Sequence, residues 1–566
     1  MLKIKSILVS LLAIAALASC SNENDENPGV DGGIGYDVAY ISISVTNPKV
    51  PGSRASGEQE ALPAESAVKE LYVITFNASK EVTKDADATK YATVLGTGSF
   101  GTDNSSGITT PNAPIKVGTD TKYLLVVANP GAQLKGRLDA IAAGATYATI
   151  NAMITVPTDN AKPNNAYLVD EVVHSNGCAM INVGFYDESN LEWEDECLLD
   201  VADKIILAKD YKTDAQAQNA AKSNPATLEI ERLAAKLEVM IDGSLAVGPF
   251  EDGTNASLGQ FDFGNWAIDY YNSRLFPFAK KTTTASSHTT GFYKSNFYTV
   301  DPNFTTAGGT EYLEGIIKNK LNTDREPLVE WAAKSTTAGE NYKYCIENTM
   351  AEGYQKFGAA TRLVLKGKYA PWKDDADFTL GDDWYRLPNG TSSVNFKNFG
   401  KLLDAYTASK AKETNSEAMT AQEKLLVSAC ELFYSQIKPA LTTNDPGGFA
   451  LLTQAIIDAN NIKNGGELCK EEGCIYWYPK SLNYYYYEIR HDNAADSHME
   501  YGKYGVVRNN YYTLNLTKVN GNGTPWYPGG GPEDPDEEED IDKLGAYLHF
   551  EIKVAPWIYW TTNFEI

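Results

Sequence analysis

Gly96-Thr-Gly-Ser-Phe-Gly101 has the G-x-G-x-x-G spacing with which a loop can cradle a pyrophosphate, and it follows a strand-like Tyr91-Ala-Thr-Val-Leu95. A dinucleotide site also needs a helix opening at the last glycine, so that its N-terminal amides face the phosphates. Thr102-Asp-Asn-Ser-Ser-Gly107 comes next instead, so the run reads as a turn. His491 and His498 stand seven residues apart around Asp492 and Asp496, a loose spacing for metal ligation that reads as surface loop. The chain has no G-x-S-x-G, H-E-x-x-H or G-x-x-x-x-G-K-[ST] run. Carboxylate pairs occur throughout a chain with 74 Asp+Glu, so no glycosidase pair stands out. Tyr476-Trp477-Tyr478 and Tyr484 to Tyr487 offer rings for sugar stacking, yet in a Tyr-rich β protein such rings read first as packing. These residues predict no enzyme, no metal and no cofactor.

The chemistry the sequence does offer is covalent processing. Lys3 and Lys5 precede a largely apolar run from Ile7 to Ala18, too short to cross a bilayer of ~30 Å and so a signal peptide. It ends in Leu17-Ala18-Ser19-Cys20, a bacterial lipobox whose Cys20 thiol takes a diacylglycerol and becomes the N-terminus. No other stretch approaches a membrane span, so the remainder is expected to be soluble outside the cytoplasm. Pro51-Gly52-Ser53-Arg54-Ala55-Ser56 is a second candidate: a lone Arg among small residues in an exposed loop, where a protease binds an extended chain. Six cysteines remain after Cys20, too few for a disulfide scaffold of this length. Cys430 reads as a buried thiol on an apolar helix face, and Cys469 and Cys474 are spaced to close a small loop. No further ligands at short spacing support zinc.

The elements that must carry these features are mostly strands. A 566-residue chain is too long for one core. Its net charge of −25 argues against nucleic acid, and 34 Tyr and 45 Gly beside only five His suggest a β-rich extracellular protein. Residues 21–35 are a polar tether. The strand Val38 to Thr46 alternates, with Ala39, Ile41, Ile43 and Val45 on one face and Ser42, Ser44 and Thr46 on the other. Leu71–Phe76, Tyr123–Ala128 and Leu228–Leu233 are further strands, and the polar stretch 212–227 suggests a domain boundary near 225. Thr420-Ala-Gln-Glu423 is a capping box opening a helix with Leu426, Cys430, Phe433 and Ile437 at helical spacing, and 446–460 reads as a second helix. Gly521 to Asp542 reads as a linker, Gly/Pro-rich and then acidic, which like charges keep solvated. Beyond it Leu548, Phe550, Ile552 and Val554 alternate with polar residues. Pro556 then interrupts, and Ile558, Trp560, Thr562, Phe564 and Ile566 continue at period two, leaving Trp557, Tyr559 and Asn563 on the other face.

Several runs together resemble the fimbrillins of Bacteroidia, specifically the major subunit of short (Mfa-type) fimbriae within the wider FimA-like group. They are Tyr487-Glu-Ile-Arg-His491, Tyr501 to Tyr511, Thr513 to Val519, the alternating terminus, Lys122 to Pro130 and Leu228 to Lys236. The resemblance implies a mainly β fold of two transthyretin-like β-sandwich domains, with some helical decoration in the second. It divides the chain into a lipoprotein signal peptide (1–20), a propeptide with an exchangeable first strand (21–54), two domains (55–225 and 226–546) and a C-terminal donor strand (547–566). It implies export to the outer membrane on the Cys20 lipid, and cleavage between Arg54 and Ala55 by an arginine-specific protease. Polymerisation then follows by strand exchange into a cell-surface fimbrium that supports adhesion and biofilm formation, with accessory anchor and tip subunits as partners. Elementary physics agrees: removing Ala39, Ile41, Ile43 and Val45 from their groove leaves unpaired backbone and an apolar slot. A strand of the same period from another subunit can fill that slot by β-augmentation. Residues 547–555 are expected to brace the base of the donor and 557–566 to insert. The alternatives are a tip or anchor subunit of the same fimbria, or a monomeric glycan-binding surface lipoprotein.

Overall fold

The computed structural model describes residues 38–46, 62–84, 91–103, 107–155, 170–184, 186–187, 192–193, 196–241, 245–248, 258–280, 298–303, 316–317, 330–337, 339–351, 353–389, 392–460, 462, 473–491, 502–528, 536–541 and 548–556. Within them the fold is mainly β, built around two large hydrophobic cores.

The first core forms because Glu70–Phe76 and Tyr123–Ala128 are nearly continuous apolar runs, which only burial on both faces satisfies. These two strands pair antiparallel at the centre of a sheet. Across that sheet the order is Thr93–Gly96, Glu70–Phe76, Tyr123–Ala128, Met180–Asn182, Ala226–Arg232, Ile43–Thr46, Ile108–Pro111 and Phe100–Asp103. Its two outermost strands are neighbours in sequence, joined by a turn in which Gly98 has φ +100° and the Ser99 amide donates to the Gly96 carbonyl at 3.0 Å. The sheet must therefore curl until its ends meet. The glycine-rich run is that turn, and a strand rather than a helix begins at Phe100.

The second core lies between three smaller sheets. Asn510–Val519 pairs in parallel with Ala234–Met240 and antiparallel with the terminal strand Leu548–Pro556. Gln260–Asp269, Arg362–Ala370 and Leu482–Glu488 form another sheet, and Trp384–Asn389 sits between Ser392–Phe396 and Tyr476–Tyr478 in the third. Two helices, Phe399–Thr414 and Ala421–Ile437, bury Phe399, Leu402, Tyr406, Leu426, Cys430, Phe433 and Ile437 against it. The Thr420–Glu423 capping box is present, with the Glu423 amide donating to Thr420 Oγ1 at 3.2 Å. The helix read over 446–460 shrinks to a 3-10 turn at Phe449–Leu451 and a helix at Gln454–Ala459. Gly447, at φ +82°, breaks any earlier start.

The cores meet where one strand run passes between them. Ala226–Arg232, which the sequence reading placed at the head of the second domain, pairs within the first sheet. After Leu233 the chain continues as Ala234–Met240 in the second. Lys236 is buried at this junction, 2.9 Å from Glu65. Its ammonium lies over the rings of Tyr342 (3.9 Å) and Tyr511 (4.9 Å), and Tyr344 donates to Glu65 at 2.7 Å. Removing one partner of so buried a pair strands the other charge, at ~3–5 kcal/mol. Lys236→Ala is therefore expected to lower the urea midpoint markedly with the slope unchanged, whereas Lys410→Ala, on an exposed pair with Glu431, should cost under ~1 kcal/mol of stability and barely move it.

Candidate functional site: the first-strand groove

The alternating segment is two strands in one extended run. Strand β1 (Val38–Ile41) lies between Ile115–Gly118 and Ile206–Leu207, antiparallel to both. Strand β2 (Ile43–Thr46) lies between Ala226–Arg232, to which it is parallel, and Ile108–Pro111. Ser42 is the crossing point between the two sheets, and its carbonyl accepts the Ala226 amide at 2.8 Å. Neither half is an edge, so withdrawing the segment would open two ladders at once. Ala39, Ile41, Ile43 and Val45 are each 0% exposed and belong to the first core. Burial of such side chains is worth roughly 1.5–3 kcal/mol for each Ile or Val.

The opposite face was not legible in the alternation. Tyr40 is 1% exposed and packs on Ala208, Ala217 and Ala221. The last two face it from a helix, Asp214–Ser223, capped by Thr213, whose Oγ1 accepts the Gln216 amide at 3.3 Å. That helix takes up most of the stretch 212–227, whose composition marks it only as a polar boundary. Its buried face is alanine alone, too weakly apolar to mark an amphipathic period. Among the described residues the Tyr40 hydroxyl has no hydrogen-bond partner.

Downstream of the segment, Pro63–Ser66 is the next described element, and it is pinned. Arg232 donates to the Glu65 carbonyl at 2.8 Å and to Ser66 Oγ at 2.7 Å, in addition to the Lys236–Glu65 pair. At the other end of the chain, the backbone of Leu548–Pro556 runs the length of its own second-core partner, from Leu548 opposite Val519 to Pro556 opposite Asn510, with a bulge between Leu516 and Lys518. Cys20, Arg54, Ala55, Ile558, Trp560, Phe564 and Ile566 lie outside the described residues.

Other candidates resolve into packing. Tyr476, Trp477, Tyr478, Tyr484 and Tyr485 are buried, and Tyr478 stacks on Trp384 at 3.9 Å between ring centres. The His491 ring is buried, its Nδ1 2.8 Å from the Tyr512 hydroxyl; His498 lies outside the described residues. Among the described residues no three His, Cys, Asp or Glu side chains group as metal ligands. Cys178, Cys345, Cys430 and Cys474 are free and buried, Cys197 is buried as well, and burial pushes the Cys178 and Cys345 thiols up to about 12. The acidic stretch departs from a solvated linker. The carbonyls of Glu537 and Glu539 accept amides of Gly358 and Phe357 at 2.8 and 3.1 Å, Lys356 pairs with Asp540, and Ile541 is buried. Upstream, Trp526 is wholly buried. Backbone carbonyls and flanking apolar residues dock residues 536–541, while the Glu537 carboxylate accepts the Tyr270 hydroxyl at 3.2 Å and Asp540 pairs with Lys356.

Two family models match at opposite ends of the chain. The model for the major fimbrial subunit protein FimA covers residues 39–178, and that for the fimbrillin C-terminal region of major fimbrial subunit protein type IV covers residues 476–563. Over those two segments the chain matches the fimbrillin family. The first match begins on β1 and the second spans the terminal strand, so both strands of interest are family segments. A solved putative cell adhesion protein of Parabacteroides distasonis is 12% identical to this chain, covering 92% of this chain and 99% of that one at a TM-score of 0.41. For the FimA fimbrillin of Porphyromonas gingivalis W83 the figures are 13%, 92%, 98% and 0.34. For the C-terminally truncated tip fimbrial protein Mfa3 of Porphyromonas gingivalis they are 9%, 92%, 100% and 0.31. A search of curated proteins returned no match to this chain. Both matched models describe major fimbrial subunit proteins.

Proposed function

We propose that this protein is a fimbrillin, the stalk subunit of a short, Mfa-type cell-surface fimbrium, and has no catalysis of its own. It is exported as an outer-membrane lipoprotein on Cys20, cut after Arg54, and polymerised when the C-terminal segment of another subunit replaces the first strand. The observation that carries this reading is the position of β1 and β2. They are central in two ladders, with Ala39, Ile41, Ile43 and Val45 wholly buried, yet only residues 47–61, with Arg54 among them, connect them to the pinned turn at Glu65. A cut there frees nothing downstream, because Arg232 and Lys236 hold Glu65 and Ser66. It does free the segment upstream, and an emptied groove of unpaired backbone and apolar wall demands a replacement strand. Donor and acceptor are different surfaces, so the contact is heterologous and grows an open filament. Anchor and tip subunits would end that filament, and adhesion and biofilm formation follow from a surface polymer.

The test is negative-stain microscopy of the full-length precursor before and after treatment with an arginine-specific protease. Filaments only after cleavage are expected; a monomer that stays monomeric would overturn the reading in favour of a surface binder. The lipid step makes a separate expectation. Cys20→Ser should abolish lipid labelling and leave the precursor in the periplasm or with its signal peptide, and normal fimbriae on cells making that variant would exclude the lipoprotein route.

A further inference from the structure

The groove is lined on both faces, and its outer face changes character half-way along. Under Val38 and Tyr40 it is a covered pocket, floored by Ala208, Ala217 and Ala221. Past the crossing at Ser42 it holds small polar residues, Ser44 and Thr46, that are only half-buried. Read from its N-terminal end, the outer face therefore asks for two bulky side chains and then three polar ones.

The terminal segment repeats that order. With Ile558, Trp560, Thr562 and Phe564 towards the core, the alternate positions are Trp557, Tyr559, Thr561, Asn563 and Glu565: two bulky, then three polar. We infer that the groove takes the incoming strand of a second copy in the direction of the strand it replaces and in a single register. Trp557 to Glu565 then stand where Val38 to Thr46 stood, with Tyr559 in the Tyr40 pocket beneath the Asp214–Ser223 helix. This inference rests on the strand-replacement reading above and adds its polarity, its register and a specificity pocket.

The competing placements fail on simple grounds. Insertion in the opposite direction puts Asn563 and Glu565 beneath the alanine helix, where burying an amide and a carboxylate without partners is unfavourable. A slip by one residue sends the whole inner set to the outer face. A slip by two leaves either Thr561 in a cavity shaped for a tyrosine ring or the larger indole of Trp557 forced into it. The pocket reads shape rather than hydrogen bonding, since the Tyr40 hydroxyl has no partner among the described residues.

Thr227 reports the register without entering the pocket. It is exposed and lies opposite Ser44 on the neighbouring strand, so in the proposed register it faces Asn563. Full-length precursors carrying Thr227→Cys together with Tyr559→Cys, Thr561→Cys, Asn563→Cys or Glu565→Cys would be cleaved, allowed to assemble, oxidised and run on non-reducing gels. A ladder of covalent oligomers is expected with Asn563→Cys and its loss with the other three. A ladder with Thr561→Cys or Glu565→Cys instead overturns the register, and one with Tyr559→Cys overturns the direction, while strand replacement stands in either case. Filaments that form with no ladder from any pair overturn strand replacement itself. The pocket has its own measurement, the sedimented filament fraction. Tyr559→Phe should keep the wild-type yield and Tyr559→Ala should lose most of it, and equal yields from the two would remove Tyr559 from the pocket.

Discussion

Deleting Trp557 to Ile566 is expected to abolish polymerisation of the protease-cleaved subunit while leaving it folded. The truncation ends after Pro556, so Leu548–Pro556 can still close the edge of Asn510–Val519, and the second core keeps its own strands. What is lost is the segment proposed to fill the next subunit's groove. Within it the inner positions should dominate, because a buried Trp→Ala truncation costs ~3–5 kcal/mol and a buried charge costs more; Trp560→Asp should approach the full deletion. Alternation alone would make Tyr559→Asp mild. The burial of Tyr40 changes that expectation, and Tyr559→Asp should be severe, with Asn563→Asp the tolerated control. Filament yield by sedimentation and circular dichroism of each monomer measure the two halves of this prediction. Filaments from the truncated protein would end donor-strand replacement through this terminus.

Arg54→Ala is expected to have an equally large effect by the opposite route, since the donor is intact and the acceptor never opens. With residues 47–61 uncut, β1 and β2 remain tethered to the turn that Lys236 and Arg232 hold. A displaced strand then returns from an effective concentration in the millimolar range, which a free donor at micromolar concentration cannot match. The variant should be a soluble, folded monomer after protease treatment, with no filaments by microscopy. Native filaments should contain chains that begin at Ala55, read by N-terminal mass spectrometry. A mature chain beginning at Val50 would move the cut to Lys49, the nearest other basic residue on the N-terminal side. It would still release the same strand.

What the sequence determined by itself was whatever depends on neighbours along the chain. Alternation made Val38–Thr46 and Leu548–Val554 extended, because side chains in a strand alternate by geometry alone. The Thr420–Glu423 box placed a helix start, because a cap is a bond between residues three apart. The glycine-rich run declared itself a turn for want of a helix after it. Other features needed partners that no local pattern names. Period two says that one face of a strand is apolar, but it cannot say that Tyr40 on the other face meets Ala217 and Ala221 some 180 residues away. Nor can it say that the run divides at Ser42 between two sheets, which is settled by where Ala226 and Ile115–Gly118 lie. The acidic stretch looked solvated because its side chains are charged, yet its backbone carbonyls are taken up by Phe357 and Gly358. Lys236 could be any strand lysine until folding brings Glu65, Tyr342 and Tyr511 around it. Local chemistry chose the elements; only the packed structure decided that the first strand is covered on both sides, because burial is a property of whatever arrives from elsewhere in the chain.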